Sequence, residues 1–149
     1  MKDYVVDDIK SIVRPQLGEE VPLLLFRILR IIGMRSILGE TSGATLYMMG
    51  KKVGNMLPVR TVEEFSETIR NLKIGIPEVA IVDEDHVTVK LFECITCAGF
   101  TYTGEMFCDM ESGIIAGLLE SVYGKKARST QTKSWSAGFN YCEFEVFFY

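Results

Sequence analysis

All four cysteines of this 149-residue chain come after residue 93, and this placement limits what the chain can fold into. They are Cys94, Cys97, Cys108 and Cys142. Cysteines that served only as small hydrophobic residues would have no reason to collect in one part of the sequence. A cluster that contains a Cys-x-x-Cys pair indicates a shared site, either for a metal or for a redox couple.

Charge and composition exclude several classes of protein. The balance of 16 basic and 20 acidic residues leaves no basic face for a nucleic acid. The amino terminus lacks the pattern of a signal peptide, and the longest apolar stretch, 21–34, is too short and too charged to span a bilayer. Cysteines in such a chain are typical of reduced thiols or metal ligands. We therefore expect a soluble, cytoplasmic protein that forms one domain over residues 1–149.

The order of helices and strands predicts an α+β fold, with an antiparallel sheet covered by helices. Thr61 and Glu64 form a capping-box pattern, and Val87, Val89 and Leu91 alternate with polar residues as in a strand with one buried face. The predicted helices cover about 3–13, 22–33, 41–56, 61–72 and 105–123. The predicted strands cover about 78–82, 86–95, 126–135 and 141–149.

Glycines recur on one face of two predicted helices. Gly43, Gly50 and Gly54 lie on one stripe, and Gly113 and Gly117 are four residues apart. Each glycine inside a helix costs about 1 kcal/mol relative to alanine. The pattern indicates a close approach, either of a second helix or of a ligand.

The sequence offers few residues for catalysis by a stand-alone enzyme. His86 is the only histidine and sits at a predicted turn, which is typical of a solvated surface residue. No Cys-His or Ser-His-Asp arrangement forms unless His86 supplies it. No glycine-rich nucleotide-binding motif is present.

Zinc requires four ligands at tetrahedral angles, and the cysteines are the candidates. On an extended strand, the side chains of Cys94 and Cys97 would point to opposite faces. They chelate one ion only if the chain turns at Ile95 and Thr96. The alternatives are a redox disulfide, or cysteines that are simply buried as small hydrophobic residues.

Several motifs together resemble the 4-vinyl-reductase domain family, whose archaeal and bacterial members are often described as hydrocarbon-binding proteins. They are 93–99 (ECITCAG), Cys108, 113–120 (GIIAGLLE) and 138–144, which contains Cys142 followed by Glu-Phe. The glycine-containing segment 38–54 is similar to a helix in the amino-terminal half of the family. The resemblance covers about residues 38–146.

This resemblance implies a ligand-binding fold related to transport-complex subunits that hold a fatty acyl chain and to haem-based nitric-oxide sensors. In phenol-sensing transcription activators, the same domain binds a small aromatic effector in a buried pocket. The family also carries a structural zinc held by three cysteines and one glutamate. Those positions correspond here to Cys108, Gln131, Ser134 and Cys142, and neither Gln131 nor Ser134 supplies an anionic ligand.

Three outcomes for the inherited site stay open at this point. Cys94 or Cys97 completes a rearranged zinc site, Cys108 and Cys142 form a disulfide, or the site stays empty. Metal binding needs thiolates, so the first two outcomes exclude each other at those two sulfur atoms. Zinc is the one candidate cofactor that the sequence offers.

The leading hypothesis is non-enzymatic binding of a small hydrophobic or aromatic molecule in a buried pocket, as a sensor or carrier module that forms a homodimer. The alternatives are a metal- or thiol-dependent reductase, or an auxiliary factor for one, and an interaction subunit whose apolar helix at 23–32 binds a protein partner. The same apolar residues would instead simply fill a core if no pocket exists. The candidate lining residues are Leu24, Ile28, Leu46, Tyr47, Trp135 and Phe139.

Overall fold

The computed structural model describes residues 1–149 and contains six α-helices and four β-strands. A π-helical segment, Ile28–Gly33, joins the second and third helices, and Gly39–Thr41 and Trp135–Ala137 are short 3-10 turns. In chain order, the elements are α1 (Val6–Ile9), α2 (Leu23–Arg27), α3 (Met34–Leu38), α4 (Ser42–Met56), α5 (Val62–Asn71), β1 (Ile76–Asp83), β2 (His86–Phe92), α6 (Asp109–Tyr123), β3 (Ala127–Lys133) and β4 (Cys142–Phe148).

The four strands form one antiparallel sheet in the order β1-β2-β4-β3. The predicted alternation in β2 is confirmed, because Val87, Val89 and Leu91 are fully buried while their neighbours are partly exposed. On the same sheet, Val89 pairs with Phe144 of β4. The α+β architecture predicted from the element order is therefore confirmed.

Helix α6 lies between the sheet and α4. All nine residues from Glu111 to Leu119 are buried, and α6 contacts α4, β3 and β4. A helix that is buried around its whole circumference forms the centre of a core. No helix of this fold combines the length and the apolar character that crossing a bilayer requires.

The glycine stripes bring α4 and α6 into backbone contact. A Cβ added to Gly50 would overlap the carbonyl of Met110, and one added to Gly113 would overlap the carbonyl of Tyr47. Gly54 and Gly117 face each other in the same way. The prediction of a close approach is confirmed, and the approaching group is a second helix. Gly43 differs, since its neighbour is the side-chain carboxylate of Asp109.

Two helix predictions near the amino terminus were wrong in extent. The helix predicted over 3–13 is a single turn, Val6–Ile9, with no buried side chain, because a short exposed helix has no packing to stabilise it. The helix predicted over 22–33 is α-helical only from Leu23 to Arg27, is π-helical over Ile28–Gly33 and continues past Gly33 as α3 to Leu38. Further along, α6 begins at Asp109 instead of residue 105, and β2 ends at Phe92 instead of residue 95.

Candidate functional site

The four cysteine side chains converge on one buried point. Their Sγ atoms all lie within 4.8 Å of one another, and each cysteine is fully buried. The Sγ of Cys94 lies 3.8 Å from that of Cys108, which lies 3.9 Å from that of Cys142. Four thiolates at about 2.3 Å from a tetrahedral zinc would be about 3.8 Å apart. The four-sulfur donor set therefore fits a zinc ion, and these two sulfur pairs already have the tetrahedral spacing.

Three separate parts of the fold supply these sulfur atoms. Strand β2 ends at Phe92, and Glu93 takes a positive φ of 51°, which turns the chain away from the sheet. The amide of Ala98 then donates to the carbonyl of Cys94 at 3.0 Å. The turn required between the first two cysteines is therefore present. Cys108 is the residue before α6, and Cys142 begins β4.

Each cysteine of the Cys-x-x-Cys pair has a close thiol neighbour from another part of the chain. Cys94 lies beside Cys108, and the Sγ of Cys97 lies 3.1 Å from that of Cys142. All four cysteines are free thiols in the structure. These contacts join different segments of the chain at one point, as metal ligands do.

The thiols perturb one another's protonation. Hydrogen bonds from Cys108, Cys142 and Cys94 hold the pKa of Cys97 far below its usual value. Hydrogen bonds with Cys142 and the other two thiols, together with burial, raise the pKa of Cys108 well above its usual value. A bound cation would favour the thiolate form of all four sulfur atoms.

Gln131 and Ser134, which the family resemblance placed at ligand positions, form hydrogen bonds with other residues of the chain. Gln131 accepts a hydrogen bond from the backbone amide of Cys108 at 3.0 Å through Oε1. The hydroxyl of Ser134 pairs with that of Ser136 at 2.7 Å. Cys94 and Cys97 complete the sulfur cluster with the other two cysteines, which is the arrangement of the first of the three outcomes.

Two arginines of the α2 and π-helical segment hold the loops that carry the cysteines. Arg27 donates from Nη2 to the carbonyl of Ala98 at 3.0 Å, close to Cys97. Arg30 donates from Nη2 to the carbonyl of Phe107 at 2.7 Å, in the residue before Cys108. Sequence reasoning did not assign these arginines a role. The available signal was a pair of charges three residues apart in an otherwise apolar segment.

Sequence reasoning also missed Glu111, which is fully buried beside the cluster. The hydroxyl of Thr96 donates to its Oε1, and its Oε2 has no partner. Burial, assisted by the nearby Cys94, raises the pKa of this carboxyl to about 7. The sequence did not indicate that Glu111 is buried. It lies in the first turn of α6, four residues before Ile115, and acidic residues are common there.

Two cavities adjoin where the π-helical segment crosses α4 and α6. The first, of about 340 Å³, has a mixed polar lining that includes Arg35, Glu105 and Asp109. The second, of about 280 Å³, is mainly apolar. Arg30 and Leu46 line both cavities. The apolar lining is completed by Phe26, Leu29, Gly33, Met34, Ile37, Met49 and Met110.

The six residues predicted to line a pocket are dispersed in the structure. Leu46 lines both cavities, and no other member of the set does. Leu24, Ile28 and Phe139 are exposed. The hydroxyl of Tyr47 accepts from the amide of Ser129, and Trp135 packs against the core that contains the cysteines. Helical periodicity located the apolar residues but did not indicate which of them face a cavity.

Comparison with known proteins gives consistent matches. Residues 87–147 match the model of the vinyl-4-reductase domain family. The protein MJ0150 of Methanocaldococcus jannaschii is 35% identical over 136 residues, which covers 87% of this chain and 78% of that protein. MJ1642 of the same organism is 31% identical over 131 residues, covering 88% and 80% of the two chains.

Solved structures share the fold at lower identity. A vinyl-4-reductase family protein from Methanocaldococcus jannaschii superposes with a TM-score of 0.72 at 23% identity, covering 90% of this chain and 85% of the other. The phenol-responsive sensory domain of the transcription activator PoxR, solved with phenol, gives 0.69 at 14% identity and covers 86% and 75%. Subunit 3 of a trafficking protein particle complex from Naegleria fowleri, bound covalently to palmitic acid, gives 0.63 at 16% and covers 85% and 95%.

An H-NOX protein from S. oneidensis also shares the fold, with a TM-score of 0.54 at 10% identity over 94% of this chain and 82% of the other. These likenesses confirm that the chain shares the fold of a trafficking-complex subunit and of H-NOX proteins. The family match over residues 87–147, with the 35% identity to MJ0150 over most of both chains, shows that this chain belongs to the vinyl-4-reductase domain family.

Proposed function

We propose that this protein is a ligand-binding module that holds a small hydrophobic molecule in the cavity between the α2–α3 segment, α4 and α6. The observation that carries this proposal is the apolar cavity of about 280 Å³, to which three separate helical segments contribute. Concave apolar sites with few polar groups are typical of small-molecule binding. The PoxR domain, solved with phenol, and the palmitate-bound trafficking subunit support it by their shared fold.

Zinc is the metal that the four cysteines would hold, and its role would be structural. Four thiolate ligands fill a tetrahedral coordination sphere and leave no open position for a substrate. The ion would tie the end of β2, the start of α6 and the start of β4 together. Met110, near the start of α6, also lines the cavity, so the ion would help to keep this side chain in place.

The exposed apolar face of the α2–α3 segment supports a homodimer. Leu24 is 69% exposed, Ile28 44% and Ile32 66%. Monomeric proteins rarely leave a contiguous apolar surface of this kind uncovered. A second copy of the chain would cover this face, and residues 1–149 would form one domain in each subunit.

Native mass spectrometry of the purified protein tests the binding module, with zinc measured by elemental analysis on the same sample. We expect a dimer that retains an organic molecule released by denaturation, and one zinc per chain. Thiol titration with a disulfide reagent should detect no reactive thiol before a chelator is added and four afterwards. Protein that binds none of a panel of apolar and aromatic compounds would overturn the ligand-binding proposal, and zinc-free protein would overturn the metal assignment.

A further inference from the structure

Arg30 is a buried cation without an anionic partner. Its side chain is only 4% exposed, yet its one hydrogen bond runs from Nη2 to the carbonyl of Phe107. The buried Nε has no partner, and no carboxylate lies within ion-pair distance of the guanidinium. An arginine stays charged in proteins, and a buried charge is costly unless it is paired. The guanidinium is therefore held in the interior without a direct ion pair.

This charge lies where the two cavities meet. Arg30 and Leu46 form the boundary between the apolar cavity and the mixed polar cavity. A molecule that filled the apolar cavity and extended towards the polar one would pass the guanidinium. The residue also lies within the π-helical segment Ile28–Gly33, and π-helical turns inside helices are frequent at functional sites.

From this arrangement we infer that the ligand is an amphipathic organic carboxylate, with its carboxylate on Arg30 and its apolar body in the cavity formed by α2–α3, α4 and α6. This inference rests on the proposed function and narrows it to one chemical class. A planar guanidinium matches the two oxygens of a carboxylate, and such charge-assisted bonds are stronger than bonds between neutral groups. Met34, Met49 and Met110 give the apolar wall flexible side chains that adapt to the shape of the body.

Acidic side chains near the polar cavity do not supply the missing anion. Glu105 pairs with Arg35 at 3.3 Å at the exposed rim. Asp109 lines the polar cavity together with Arg30, but neither Asp109 nor the buried Glu111 forms an ion pair with the guanidinium. A neutral ligand such as an alcohol would leave the buried guanidinium unpaired, whereas a carboxylate would neutralise it. The charge of Arg30 therefore selects between ligands with the same apolar body.

Calorimetric titration of the full-length protein with octanoate, 1-octanol and octylammonium tests this selection. The three probes share one apolar chain and differ in the charge of the headgroup. We expect octanoate to bind about tenfold more tightly than 1-octanol, the factor that one charge-assisted hydrogen bond provides, and octylammonium to bind most weakly. The comparison uses unaltered protein, so it does not depend on the folding of a variant.

Two substitutions assign the preference to Arg30. Arg30→Met should bind octanoate and 1-octanol equally, whereas Arg30→Lys should keep part of the preference because it keeps the charge. Arg128→Gln is the control, since Arg128 is an exposed cation on β3 that lines neither cavity. Thermal denaturation of each variant identifies any that fail to fold. In that case, the comparison of the three probes on the unaltered protein alone tests the preference for a carboxylate.

The outcomes separate this inference from the proposed function. If 1-octanol binds as tightly as octanoate, the inference of a carboxylate ligand is wrong, but the proposal that the protein binds a small hydrophobic molecule is still supported. If octylammonium binds most tightly, Asp109 and not Arg30 selects the headgroup, and the inference is wrong. If none of the three probes binds and no apolar compound does, the inference fails together with the proposed function.

Discussion

Arg27 donates a hydrogen bond from Nε to the carbonyl of Ile95 at 2.9 Å, across 68 positions in the sequence. Ile95 lies inside the turn between Cys94 and Cys97, and the same guanidinium also donates to the carbonyl of Ala98. The α2 segment is therefore attached to the backbone of the Cys-x-x-Cys turn. This contact connects the segment that lines the cavity with the candidate zinc site.

Replacing Arg27 should weaken the retention of zinc. Arg27→Met leaves two part-buried carbonyls without their donor, at a cost of about 1–3 kcal/mol. Loss of such outer contacts typically lowers metal affinity about 10- to 100-fold. The rate of zinc transfer to a chromogenic chelator measures this effect. Arg27→Lys should recover little, because lysine cannot bond several carbonyls with one planar fork. If Arg27→Met transfers zinc at the same rate as the unaltered protein, the turn between Cys94 and Cys97 does not need Arg27.

The contact between α4 and α6 predicts opposite results for two glycines of one helix. Gly50→Ala should destabilise the protein by about 3 kcal/mol or more, because its Cβ would overlap the backbone of α6 and force the helices apart. Gly43→Ala should be close to neutral, or stabilising by up to about 1 kcal/mol through helix propensity, because its Cβ would meet only the Asp109 side chain. Chemical denaturation of both variants gives the comparison. Equal stabilities would contradict the backbone contact.

Glu111 should make stability fall as the pH rises from about 4.5 to 7. Its pKa is raised from 4.5 to about 7 by burial, so the folded protein binds more protons than the unfolded chain in this range. Stability that depends on the protonated carboxyl is present at low pH and is lost as the pH passes through the raised pKa. A shift of this size corresponds to roughly 3 kcal/mol.

Glu111→Gln should therefore raise the melting temperature by several degrees at pH 8 and leave it nearly unchanged at pH 4. The amide keeps an oxygen that accepts from Thr96. Glu105→Gln is the control, because its side chain is exposed and should show no such pH dependence. A gain at pH 8 no larger than at pH 4 would contradict the raised pKa of Glu111.

The proposed dimer places the exposed face of the π-helical segment in the interface. Ile32→Glu should convert the dimer to a monomer, because an isolated charge buried in an apolar interface is costly. Ile81→Glu is a matched control, since Ile32 and Ile81 are each 66% exposed and Ile81 lies on edge strand β1. Light scattering coupled to size-exclusion chromatography distinguishes the two states. Dimeric Ile32→Glu protein would place the interface elsewhere.

Local patterns in the sequence were sufficient for much of the fold. Alternation predicted β2, the capping box at Thr61 predicted α5, and the amide of Glu64 does bond to the Thr61 hydroxyl. Glycine spacing predicted that α4 would meet another segment closely. Each of these features depends on residues a few positions apart, so the sequence contains the necessary information.

The segment that contains Arg30 shows what local sequence patterns do not predict. The apolar run before Gly33 predicts a helix but not its π-helical geometry, which places Arg30 against Phe107. The hydrogen bond joins Arg30 to a carbonyl 77 positions away in the chain. No periodicity within the helix encodes such a contact.

The sequence by itself determined the α+β class, the family and the cysteines as candidate metal ligands, because these follow from local spacing and motif order. The tertiary structure alone decided that Cys94 and Cys97 join Cys108 and Cys142 at one point, and that Arg30 lies unpaired between two cavities. These relationships join segments that are distant in the chain. They arise because packing of α6 between the sheet and α4 fixes where each loop ends.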